Sequence, residues 1–171
     1  MNKYLMGIAV FILGLLLCCK DVSACEALPK EGFPKFVDSI YSNSEHEGLP
    51  SYAITEEDAK LLMQIGVLEG GENDVQGIAE VMQVILNRCF LSDEFPSSIS
   101  EVIFQKNPIQ FCTADKLEQA NITEEAYAAL DAVIWGEYQD NECVFFESCP
   151  GLAFNDWADY EFSYGGHDFY K

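Results

Sequence analysis

Six apolar side chains recur at helical spacing between Asp74 and Phe90: Ile78, Val81, Met82, Ile85, Leu86 and Cys89. So strongly apolar a face has to be covered, and the rest of the chain must fold against it. The Asp74 carboxylate is placed to cap this helix. Upstream, Thr55-Glu56-Glu57-Asp58 is a capping-box pattern. It predicts a helix to about Leu68 or Glu69, with Leu61, Ile65 and Leu68 on one stripe and Gly70-Gly71 as its stop. Ser98-Ile99-Ser100-Glu101 repeats the pattern for a short helix to about Gln105, broken at Asn107-Pro108. Residues 106–121 read as loop. Thr123 caps a fourth helix carrying Ala126, Tyr127, Leu130, Val133 and Ile134, stopped by Gly136. The periodicity then turns extended in Cys143-Val144-Phe145-Phe146 and His167-Asp168-Phe169-Tyr170, with an aromatic-rich loop from Phe154 to Tyr164 between them. Helices first and a small antiparallel sheet last make an α+β domain.

Nine Lys and Arg against 29 Asp and Glu give a formal charge of −20. That balance argues against a nucleic-acid partner, which requires basic patches to displace counterions, and against an anionic membrane surface. Met1-Asn2-Lys3 precedes an apolar run from Tyr4 to Cys19, shorter than the roughly 20 residues that span a bilayer. Val22-Ser23-Ala24 follows as a signal-peptidase pattern. Residues 1–24 are therefore expected to be an export signal, with an uncleaved anchor as the alternative. Residues 25–53 are expected to be a spacer with one helical turn near Phe36–Tyr41, and 54–171 the folded domain. Val22-Ser23-Ala24-Cys25 also resembles a lipoprotein box. Membrane contact is expected only through the signal or a lipid on Cys25, and the location is extracellular or in the cell envelope. Outside the cell, Cys89, Cys112, Cys143 and Cys149 have three possible pairings, of which Cys143–Cys149 with Cys89–Cys112 is the hypothesis. With two histidines and no Cys-x-x-Cys, no metal and no cofactor are expected.

Glu69 stands out. It follows Leu61 and Ile65 at steps of four, continuing the apolar stripe, and it lies in the helix's last turn. Desolvation and the negative end of the helix dipole both disfavour a charged carboxyl there. A protonated carboxyl is the proton donor that glycosidic-bond cleavage requires. Gly70 and Gly71 leave room for a sugar chain. The same spacing also suits a carboxylate frayed into solvent.

Leu68-Glu69-Gly70-Gly71-Glu72, Gln76-Gly77-Ile78-Ala79-Glu80-Val81 and Val84-Ile85-Leu86-Asn87-Arg88 resemble the core of the SleB/CwlJ cell-wall hydrolases, bacterial spore cortex-lytic enzymes. The similarity continues through Phe95-Pro96, Val102-Ile103-Phe104-Gln105 and Gln110-Phe111 to Phe145-Phe146, Trp157 and Gly166-His167-Asp168-Phe169, about residues 57–171. The resemblance implies a lysozyme-like or lytic-transglycosylase-like fold, and it places the family's acid glutamate on Glu69. It also implies peptidoglycan glycan strands as the partner.

An inverting hydrolase needs a second carboxylate to activate water, with Glu72 and Glu147 as candidates. A lytic transglycosylase needs only one group that acts as acid and then as base, and this single-acid route is the expectation. Sugar gripping is assigned to Phe111, Phe146, Trp157 and Tyr164, with Gln110 and Thr113 as hydrogen-bonding groups. Asn87 and Arg88 are expected to fix their helix to its surroundings, and His167 to satisfy a core hydrogen bond. Two alternatives stay open. One is a stem-peptide hydrolase pairing Cys112 or Cys89 with His167. The other is an exported, non-catalytic wall-binding module.

Overall fold

The computed structural model describes Tyr52, residues 54–149 and residues 157–171. The expected export signal, Cys25 and nearly all of the expected spacer lie outside the described residues. Helix α1 (Glu56–Gly70) opens on a closed capping box: Asp58 N donates to Thr55 Oγ1 and Thr55 N to Asp58 Oδ2, each at 3.1 Å. Helix α2 (Val75–Phe90) starts where Gly77 N donates to Asp74 Oδ1 at 3.0 Å. Short helix α3 (Ile99–Ile103) and helix α4 (Glu124–Ile134) begin under Ser98 and Thr123 as the sequence predicts.

α2 is the axle of the molecule. Every residue from Gly77 to Cys89 is buried, so it is covered all round and not on one face only. α1, α3 and α4 pack against it, and Val84 meets Cys143 and Phe169 of the sheet region in a second small cluster. On α1 the buried set is Ala59 and Leu62 through Val67, while Leu61 and Leu68 are half-buried. The expected stripe is thus rotated, because α2 and the segment after α3 both cover this helix. Tyr52 also joins the core, 8% exposed. It accepts from Gln83 Nε2 at 2.8 Å, inside the stretch expected to be spacer.

The crossing of α1 and α2 is backbone on backbone. A Cβ on Gly70 would lie 2.5 Å from the carbonyl carbon and oxygen of Gly77, and one on Gly77 would lie 2.7 Å from Gly70 O. Neither position has room for a side chain.

The sheet has three strands: β1 (Phe145–Ser148), β2 (Tyr160–Tyr164) and β3 (His167–Tyr170). Their order is β1-β3-β2, antiparallel throughout, so the α+β architecture is as expected. β2 corrects the reading of 154–164 as loop. Its signal was in the sequence: Tyr160, Phe162 and Tyr164 alternate with polar residues, and Gly165-Gly166 follows with φ of 58° and 84°, a two-residue hairpin turn. Likewise, 106–121 is not all loop. A 3₁₀ helix runs over Ala114–Gln119, docked on α1 by Gln64 Nε2 donating to Leu117 O at 2.8 Å.

The hypothesised disulfides do not form: Cys89, Cys112, Cys143 and Cys149 are all free thiols. Cys143 and Cys149 flank strand β1, and six extended steps separate them by about 20 Å, far beyond the ~7 Å limit for bridging. Cys89 is buried in the helical core whereas Cys112 is exposed.

Candidate functional site

α1 ends on Glu69-Gly70, and Gly71 (φ 95°) turns the chain sharply out of the helix. Because Gly70 is pressed against Gly77, the last turn of α1 is held by the start of α2, and Glu69 is carried on a fixed backbone. The Glu69 side chain is half-buried. Its Oε1 accepts a hydrogen bond from Thr113 Oγ1, 44 residues further along the chain.

Thr113 reaches Glu69 from a tight turn. Ala114 N donates to Phe111 O at 3.3 Å, and Thr113 has φ −92° and ψ −3°, the third-residue geometry of a type I turn. Lys116 N then donates to Thr113 O at 2.8 Å and starts the 3₁₀ helix. With Gln64 holding that helix at Leu117, the turn is tied to α1 at two points.

The chain after Glu69 is equally fixed. Thr123 Oγ1 donates to Glu72 O at 2.9 Å, and the Glu72 side chain is exposed. Asp74 accepts from Gly77 N and also from Tyr164 Oη, at 3.1 Å, which ties the hairpin to the N-terminus of α2. Burial and the Asp74 carboxylate push the Tyr164 phenol above its ordinary value.

α2 also grips the entry to the sheet. Asn87 Nδ2 donates to the carbonyls of Asn141 and Cys143 at 2.7 and 2.9 Å, and Arg88 Nε donates to Val144 O at 2.6 Å. Asn87 and Arg88 thus fix their helix to its neighbour, as expected from sequence. Among the described residues, no group of three His, Cys, Asp or Glu side chains is placed to hold a metal ion.

The molecule thus joins a helical core, a three-stranded sheet and a half-buried Glu69 carboxyl just ahead of two glycines. Residues 72–170 match the Cell Wall Hydrolase family. The chain belongs to that family. Membership makes it an enzyme of the cell-wall hydrolase family and implies peptidoglycan as its substrate. No curated protein and no solved structure matches the chain. The matched segment begins at Glu72, three residues after Glu69, and contains the other residues assigned to the site.

The structure divides those residues. Thr113 is joined to Glu69, and Tyr164 to Asp74. Phe111 is 3% exposed and serves the core, its ring against Phe146 at 5.9 Å, so it offers no face to a sugar. Phe146 is half-buried between Phe111, His167 and Phe169. Trp157 is 62% exposed and stands edge-on to Phe145 at 4.9 Å, an open platform beside the sheet. Gln110 is half-buried ahead of the turn. His167 packs its ring edge-on to Phe146 at 5.3 Å. Its imagined partner Cys89 lies in the helical core, where burial pushes the thiol up to about 12. An open cavity of about 450 Å³ is lined by Glu56, Glu57, Lys60 and Ile122 at the far end of α1. Its α1 residues lie about 14–20 Å from Glu69 along the helix axis, and the cavity plays no part in this site.

Sequence alone assigns Thr113 to substrate and does not show its joint with Glu69. Nothing local marks it, because the pairing spans 44 positions.

Proposed function

We propose that this cell-wall hydrolase cleaves the MurNAc–GlcNAc bond of peptidoglycan glycan strands by the single-carboxyl route of a lytic transglycosylase, with Glu69 as acid and then base. The observation that carries the reading is the Thr113–Glu69 pair: a half-buried carboxyl just ahead of two glycines, oriented by a neutral hydroxyl. The Glu69 carboxyl protonates the glycosidic oxygen as the bond from C1 breaks. The resulting carboxylate takes the proton from the muramic 6-hydroxyl, whose oxygen bonds to C1. The 1,6-anhydro ring closes, no water is consumed, and Glu69 is protonated again.

Other acids favour this route through the tasks they already have. Asp74 caps α2 and accepts from Tyr164, and Glu147 is a hydrogen-bond partner of the Tyr170 hydroxyl. Glu72 points into solvent beyond Gly71. The resemblance to the SleB/CwlJ enzymes supports the same chemistry. Trp157 is the best-presented platform for a sugar ring. Export, through residues 1–24 or a lipid on Cys25, would bring the domain to this substrate.

Mass spectrometry of digested peptidoglycan tests the proposal, comparing wild type with Glu69→Gln. The expected result is anhydro-muropeptides from wild type, each lighter by one water than a reducing-end fragment, and at least a 10³-fold loss in Glu69→Gln. Reducing ends would mean hydrolysis with a second carboxylate, and free stem peptides would mean amide cleavage. Sacculi left intact by both proteins would mean a wall-binding module.

A further inference from the structure

We infer that Arg88 is a positioning residue for the active carboxyl, acting through Phe111 and Thr113; this rests on the reading of Glu69 as the acid. Arg88 is 2% exposed, on the central helix. Its guanidinium lies over three rings, at 4.8 Å from Phe95, 5.3 Å from Phe111 and 6.0 Å from Phe145. Nε donates to Val144 O, but Nη1 is buried with no hydrogen-bond partner. A buried guanidinium with an unmet N–H is costly unless aromatic faces receive it. Burial lowers the group only to about 10, so it stays charged at neutral pH and the attraction to the rings persists.

Phe111 is the ring that matters for chemistry. It is the first residue of the turn that carries Thr113, its carbonyl closing that turn with Ala114 N. Fixing the ring against Arg88 and Phe146 fixes the turn, and the turn aims Thr113 Oγ1 at Glu69. The other side of Arg88 holds the entry to β1 through Val144 and Phe145. One cation thus sets the sheet and the carboxyl-orienting turn in the same frame. A Lys there keeps the charge but loses both the planar stack and the directed Nε bond.

The test follows the Glu69 carboxyl itself. In protein labelled with ¹³C-glutamate, its resonance is assigned by its loss in Glu69→Gln. Thr113→Val moves that resonance, and Arg88→Lys moves it in the same direction. Arg88→Lys is expected to lower kcat by about fivefold with KM unchanged, and to add less than about twofold when Thr113 is already Val. Phe111→Leu carries the same expectations and decides the matter alone if Arg88→Lys fails to fold. A Glu69 resonance unmoved by Arg88→Lys and Phe111→Leu, or a kcat loss just as large without Thr113, overturns the inference. The resonance is read without turnover, so a protein that cleaves no glycan at all still tests the coupling, while refuting the proposed chemistry separately.

Discussion

Glu80 sits where a carboxylate is costly, 6% exposed on the central helix. Asn141 Nδ2 donates to its Oε2 at 2.5 Å, and the same Asn141 accepts from Cys143 N at 2.8 Å. Burial raises the Glu80 carboxyl above its ordinary 4.5, and the Asn141 and Gln76 bonds only partly offset the rise. The folded chain therefore holds this proton more tightly than the unfolded chain does. As pH rises past about 4.5 the unfolded state releases it first, so this group's contribution to stability falls with rising pH. Glu80→Gln should keep the bond from Asn141 and remove the penalty. Its melting temperature relative to wild type is expected to climb between pH 4.5 and neutrality; a difference constant across that range would show that burial does not govern Glu80.

At the scale of elements, the decisive contact is the one without side chains. Gly70 and Gly77 let α1 and α2 touch backbone to backbone, which brings the Glu69 turn against the start of the central helix. Gly70→Ala drives a methyl to 2.5 Å from the Gly77 carbonyl, so the helices must separate. The expected cost is about 2–4 kcal/mol in chemical denaturation, with a loss of activity larger than the residual folded fraction explains. An Ala variant as stable and active as wild type would mean that the crossing relaxes without harm to the site. The helices were legible in sequence because Thr55, Asp74, Ser98 and Thr123 are local start signals, and each caps the helix it announced. The rotation of the α1 stripe was not, since which residues are covered depends on what packs there. Strand β2 was legible but hidden by the richness of aromatics around it. The joint between Thr113 and Glu69 had no local mark, being made by two segments that meet only in the folded chain.

Across the whole molecule, the thiols report how the layers are arranged. Cys89 and Cys143 are buried, and burial pushes each up to about 12, whereas Cys112 and Cys149 are exposed. Cys149 Sγ donates to Asp168 Oδ1 at 2.8 Å, and that carboxylate raises its thiol as well. Among these four, native alkylation at neutral pH should label Cys112 fastest, Cys149 more slowly, and Cys89 and Cys143 only on unfolding. Peptide mapping by mass spectrometry checks the order; rapid labelling of Cys143 would place it outside the layer between Val84 and Phe169. Spacing in sequence suggests bridges, but strand β1 stands between one pair, and the other sets a buried thiol against an exposed one.

The strand order carries a further consequence. β3 is the middle of the sheet yet follows both of its neighbours in the chain. A fragment that lacks β3 leaves β1 and β2 as lone ribbons with no keystone, and the space beneath them that Phe169 and Tyr170 fill stays open. A chain cut short before His167 is a helical bundle with an unroofed flank, so proteolysis should clear such fragments while sparing the intact enzyme.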